Sequence, residues 1–94
     1  RAMLASMIMS EQPAITFTAF VMSLATTAAV HFGDIADPVS GTTQINLTAA
    51  GQMIDILAML QDKTKGNLTS DEQTVLRDML YALRMKYVTL ASPK

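Results

Sequence analysis

From Gln12 to Val30 the chain carries no charged side chain, and the run includes most of "FVMSLATTAAVHFG". Phe17, Phe20, Val21, Leu24, Ala28 and His31 follow the i, i+3, i+4, i+7 spacing of one helical face. The other positions hold Ala, Thr, Ser and Met instead of Lys or Glu. A helix without a charged face is stable only when most of its sides are covered. A bilayer or other protein helices must therefore surround this one.

The bilayer is the poorer answer. A helix over residues 15–32 would span about 27 Å, nearly enough. However, Thr16, Thr18, Ser23, Thr26 and Thr27 dilute its hydrophobicity, and no Trp or Tyr flanks it. Glu11, Asp34 and Asp37 bracket it with negative charge, where a span wants Lys or Arg. The run is read as a buried helix of a chain that neither crosses nor binds a membrane.

Cover must come from a short chain. At 94 residues the protein is one domain. Chains of this size bury only about 60–65% of their unfolded surface. There is no cysteine, so neither disulfides nor thiolate metal sites can staple it. Half of the residues are apolar, a surplus that points to homo-oligomerisation as a dimer or tetramer. Small residues recur four apart, Ala19 with Ser23 and Thr27, and Ala25 with Ala29, which permits close helix approach. The expected seam comprises Phe17, Phe20, Ser23, Leu24, Thr27 and Ala28. Net charge is −1, which gives no basic footprint for nucleic acid.

Two further helices follow. After a connection punctuated by Pro38 and Gly41, Asn46 is a good N-cap, with Ile45 placed to staple onto Ala50. This second helix is expected to run to Gly66, burying Ala50, Met53, Ile54, Ile56, Leu57 and Leu60, with Lys63 and Lys65 answering its dipole. Gly51 within it implies close approach of another helix, since glycine there costs about 1 kcal/mol against alanine. Ile35, Val39 and Ile45 are expected to pin the connection across the helix ends. The third helix opens with the capping box Thr69-Ser70-Asp71-Glu72 and carries Val75, Leu76, Met79, Leu80, Leu83, Tyr87 and Leu90 as its stripe. Arg84 and Lys86 are expected to answer its C-terminal dipole. The short link between the second and third helices implies an antiparallel hairpin.

The expected fold is thus all-α: three helices, the last two a hairpin, completed by homo-oligomerisation. Residues 14–92 form the domain and residues 1–13 a tail. "MSEQP" at Met9 reads as a natural start, so residues 1–8 need not be native, and the segment does not fit a secretory signal.

Chemistry is sparse. His31, Asp34 and Asp37 form the one constellation of ligand-type residues, without a recognised spacing or an apparent fourth ligand. Helix-end and turn bonding explain them more simply. With a single histidine there is no nucleophile–base–orienter set. Asp55, Asp62, Asp71, Glu72 and Asp78 read as solvated faces or caps. "NLT" at Asn46 and Asn67 reads as capping and turn chemistry, not glycosylation. No catalytic residue and no cofactor is expected. The rival to a non-catalytic oligomeric interaction module is a metal- or small-ligand-binding protein built on His31, Asp34 and Asp37. The surfaces expected to meet another protein are the loop from Asp34 to Thr43 and the end of the third helix, where "LYALRMKY" interleaves tyrosines with Arg84 and Lys86.

The ordered landmarks "FVMSLATTAAVHFGDI", "INLTAAGQMIDILAMLQDKTKGNLTSDE" and "LRDMLYALRMKYV" resemble the bacterial small-protein family called domain of unknown function 1844. The resemblance covers about Phe17 to Val88, and the "KTKGNLT" and "LRMKY" runs are its most specific parts. It implies a bacterial, cytoplasmic, helical protein, and it implies no activity.

Overall fold

The structure, a computed structural model, describes residues 15–92. The tail at 1–13 lies outside them. The fold is all-α, with three helices and no strand among the described residues: α1 (Phe17–His31), α2 (Leu47–Lys63) and α3 (Ser70–Ala91). Each helix packs against both others.

Every helix starts on a side-chain cap that satisfies an otherwise orphaned N–H. Thr16 Oγ1 accepts from the Ala19 amide at 3.0 Å, and Asn46 Oδ1 from the Ala49 amide at 3.0 Å. At α3 the capping box is complete. The Glu72 amide donates to Thr69 Oγ1 at 3.1 Å, and the Thr69 amide donates back to Glu72 Oε1 at 2.9 Å.

The helix ends are less uniform. α1 closes in a full Schellman turn, with the Gly33 amide on the Val30 carbonyl and the Asp34 amide on that of Ala29, both at 3.0 Å. Gly33 sits at φ +82°, as this turn requires. α2 stops at Lys63, short of the expected Gly66, because the α-helical bonding ends at the Thr64 cap and the next amide, that of Lys65, turns to the Asp62 carbonyl at 3.4 Å. The Thr64 amide and hydroxyl both donate to the Leu60 carbonyl, at 2.9 and 2.6 Å. Lys65 consequently falls beyond the last turn. α3 runs on to Ala91, so Arg84 and Lys86 lie short of its last turn, which holds no basic residue. Their expected dipole role is thereby corrected.

The core is small and wholly apolar. It comprises Val21, Ala25, Ala28 and Phe32 from α1 and its cap, Ala50, Ile54 and Leu57 from α2, and Leu76, Leu80 and Leu83 from α3. The rest of the expected α3 stripe, Val75, Met79, Tyr87 and Leu90, packs around it. Among the described residues, three of the ten that are buried are alanines, which bring backbones together but contribute little hydrophobic area. A buried Leu or Val side chain contributes about 1.5–3 kcal/mol. The largest of the fully enclosed side chains are Leu57, Leu76, Leu80 and Val21.

Gly51 is explained by close approach, as expected, although the neighbour is a side chain. A Cβ there would lie 3.3 Å from Cε2 of Tyr87, whose ring covers the α2 backbone.

The connection between α1 and α2 departs most from expectation. Ile35, Val39 and Ile45 do not bury themselves across the helix ends; Val39 is 95% exposed and Ile45 60%. Ile45 lies over Gly33, where a Cβ would meet its Cγ1 at 3.0 Å. Polar bonds hold the connection instead. The Asn46 amide donates to the His31 carbonyl at 2.7 Å, drawing the two ends together. Between them, the Asp37 carbonyl accepts from the Gly41 amide at 2.7 Å, and Asp37 Oδ1 accepts from the amides of Val39 and Ser40 at 2.7 and 3.3 Å. A long segment with joined ends and its own internal bonding is an Ω-loop, compact without an apolar anchor.

Gly33 therefore serves the turn and the loop closure together. Gly33→Ala is expected to lower the unfolding free energy in urea by about 2 kcal/mol, through left-handed strain and the clash with Ile45. A loss below about 0.5 kcal/mol would show that the loop closure is not built on this residue.

Candidate functional site

α1 presents two unlike faces. Inward it gives Val21, Ala25 and Ala28, flanked by the half-buried Phe17 and Leu24. Outward it gives Ala19, Phe20, Ser23 and Thr27, with Met22 and Thr26 beside them. Phe20 is 47% exposed and Met22 44%. No charge lies anywhere on the helix apart from what His31 carries at its end.

The hydroxyls of this outer face are already engaged. Ser23 donates to the Phe20 carbonyl at 2.8 Å, Thr26 to that of Met22 at 3.0 Å, and Thr27 to that of Ser23 at 3.1 Å. Burying a hydroxyl is costly chiefly when its donor loses its partner. Here the donors take their partners with them, so the face resembles an alanine-rich surface more than a polar one. Dehydrating it costs little.

The six residues expected to form a seam divide accordingly. Phe20, Ser23 and Thr27 are exposed on the outer face. Phe17 and Leu24 pack partly on the chain's own core. Ala28 is fully buried by the chain's other helices and offers no surface to a second molecule. Of the small-residue rows, Ala19-Ser23-Thr27 points outward, whereas Ala25 is buried and Ala29 half-buried. Sequence reasoning missed Met22 and Thr26, whose exposure follows only from where α2 and α3 dock.

The polar candidates do not converge. Asp34 pairs with Lys86 of α3, Oδ1 to Nζ at 3.1 Å, and Asp37 is occupied within its own loop. His31 is half-buried at the end of α1 beside a hollow of about 160 Å³, which Asp37 and Asn46 also line. Among the described residues no group of three or more His, Cys, Asp or Glu is placed to hold a metal ion. The Asp34–Lys86 pair ties the loop to α3, an attachment the sequence does not advertise. Both side chains are substantially exposed, so its contribution is at most about 1 kcal/mol.

Two open clefts flank the α2–α3 contact. One of about 560 Å³ lies at the link between the helices, with a floor of Ala58, Leu68 and Leu76 and a rim that includes Lys65 and Arg77. The other, about 460 Å³, lies between Gly51, Ile54 and Asp55 on α2 and Arg84, Tyr87 and Val88 on α3. Neither has a buried polar side chain, and none occurs among the described residues. Tyr81, Met85 and Val88 leave a second exposed apolar stripe on α3, interrupted by Arg84.

The three-helix fold and uncharged outer face define a small all-α domain whose distinctive surface is a helix flank. The chain belongs to the family described as domain of unknown function (DUF1844), whose pattern matches residues 14–89. No curated protein and no solved structure matches it. No helix among the described residues is long and apolar enough to cross a membrane.

Because His31, Asp34 and Asp37 do not converge, added zinc is expected to leave the melting temperature of wild-type protein and of His31→Ala unchanged. A zinc-dependent rise in wild type that disappears in His31→Ala would contradict this placement.

Proposed function

We propose that the protein is a non-catalytic oligomeric interaction module, assembling as a dimer or tetramer through the outer face of α1. The observation that carries this reading is the union, on one exposed helix flank, of no charge, exposed Phe20 and Met22, and engaged hydroxyl donors. A solvated helix face ordinarily carries Lys, Glu or Arg, as α2 and α3 do. A face that lacks them and dehydrates cheaply is suited to another apolar face. The core supports the same reading, because three of the ten buried residues among those described are alanines, which contribute little hydrophobic area.

In this reading α2 and α3 are an antiparallel hairpin that props α1 from behind. The short link from Thr64 to Thr69 supports that arrangement. So does the contact between Gly51, near the start of α2, and Tyr87, near the end of α3. The α1–α2 loop and the end of α3, joined by Asp34 and Lys86, remain outside the seam and are the surfaces offered to a different protein. The module is read here as bacterial and cytoplasmic, a reading that the family resemblance supports.

Light scattering over a dilution series is expected to give a multimer mass for wild type. Phe20→Glu should return the mass to that of one chain while keeping its helical circular dichroism. Thr48→Glu, at an exposed position on α2, should leave the multimer intact. A wild-type protein that is monomeric throughout would overturn the reading.

A further inference from the structure

We propose that the cleft at the link between α2 and α3 binds a small organic carboxylate with an apolar body. The cleft holds about 560 Å³, within the range of small-molecule sites. Its lining comes from α2, the link and α3, so the proposal goes beyond the α1 seam and does not depend on it. Ala58 of α2, Leu68 of the link and Leu76 of α3 give an apolar floor, and Lys65 and Arg77 stand at the rim. The floor suits a short hydrocarbon chain. The rim decides what head that chain must carry.

The two ion pairs among the described residues are Arg77–Asp78 and Asp34–Lys86, so Lys65 has no carboxylate partner there. The Arg77–Asp78 contact is 3.5 Å between side chains about two-thirds exposed, too weak to commit the guanidinium. Against these two cations the lining sets one carboxylate, that of Asp62, which leaves one net positive charge. The acidic cap residues Asp71 and Glu72 lie outside the lining, and Glu72 is held in the capping box. The rim thus matches a single negative charge, and the planar fork of Arg77 fits a carboxylate through two parallel bonds. The backbone adds donors. Among the described residues the amides of Gly66 and Leu68, both in the lining, donate to no protein acceptor. Gly66, at φ +85°, has no neighbour where a Cβ would stand, so its backbone is open to a ligand.

Hexanoate, hexanol and hexylammonium share a body and differ in the head, so titrating each into the full chain and following its amide NMR shifts tests the proposal. Hexanoate is expected to bind saturably at roughly 1 mM, as a ligand of its size can. The amides of Gly66, Leu68 and Arg77 should move most. Hexanol and hexylammonium should bind about tenfold more weakly, which is the loss of one charge-assisted hydrogen bond. Arg77→Gln should weaken hexanoate by a similar factor. Lys63→Gln, an exposed cation outside the lining, should change it by less than about twofold, because solvent screens its charge. Both substitutions fall at exposed positions, and unchanged helical circular dichroism confirms that the variants fold. Equal binding of hexanol overturns the proposal by reducing the cleft to an apolar hollow. Equal weakening by Lys63→Gln overturns it too, since diffuse attraction would then account for binding. No saturable shift, or shifts centred on another surface, overturns it outright.

Discussion

A helix with no charged side chain must have its surface covered, and that constraint organises the rest of this protein. α2 and α3 cover the flank of α1 that carries Val21, Ala25 and Ala28. They do so with leucines and with alanines that let the backbones come close. The opposite flank, from Ala19 through Phe20 and Ser23 to Thr27, keeps an apolar character while exposed. Its hydroxyls donate to carbonyls one turn earlier, which removes most of the penalty for excluding water from them. Packing inward and potential for packing outward are two consequences of one sequence run.

The Ω-loop fixes where that flank faces. It starts from the Schellman turn at Gly33, returns to the end of α1 through the bond from the Asn46 amide to the His31 carbonyl, and is tied to α3 by Asp34 and Lys86. These attachments are polar and local, so the loop needs no apolar anchor and leaves Val39 and Ile45 in solvent. They also hold its carboxylates at one end of α1, clear of the outer flank. That separation keeps the flank uncharged in three dimensions as well as in sequence.

Much of this architecture was legible from residue patterns, and the failures have definite causes. Asn46, Gly33 and the Thr69–Glu72 box act through bonds within a few residues, so their roles can be read directly from spacing. The α3 stripe was equally clear because charged residues alternate with it. α1 offered no such contrast: Ala, Thr and Ser surround its larger apolar residues. Periodicity alone therefore put Phe20 and Ala28 together at one seam, whereas the first is half-exposed and the second enclosed. The loop was misjudged because its closure depends on a bond between residues fifteen apart, His31 and Asn46, and on a pairing with α3. At the candidate site, Ser23 and Thr27 were recognised by their spacing. The engagement of their donors is a property of geometry that spacing does not carry.

The most direct test is the dependence of thermal unfolding on protein concentration, in wild type and in Ser23→Glu. A partner that binds only the folded chain raises the melting temperature by mass action. The outer flank of α1 predicts a midpoint that climbs with wild-type concentration. In Ser23→Glu, where two copies would bring like charges together, the midpoint should not move. Identical, concentration-independent midpoints for both proteins would contradict the account and leave α1 covered by its own chain alone.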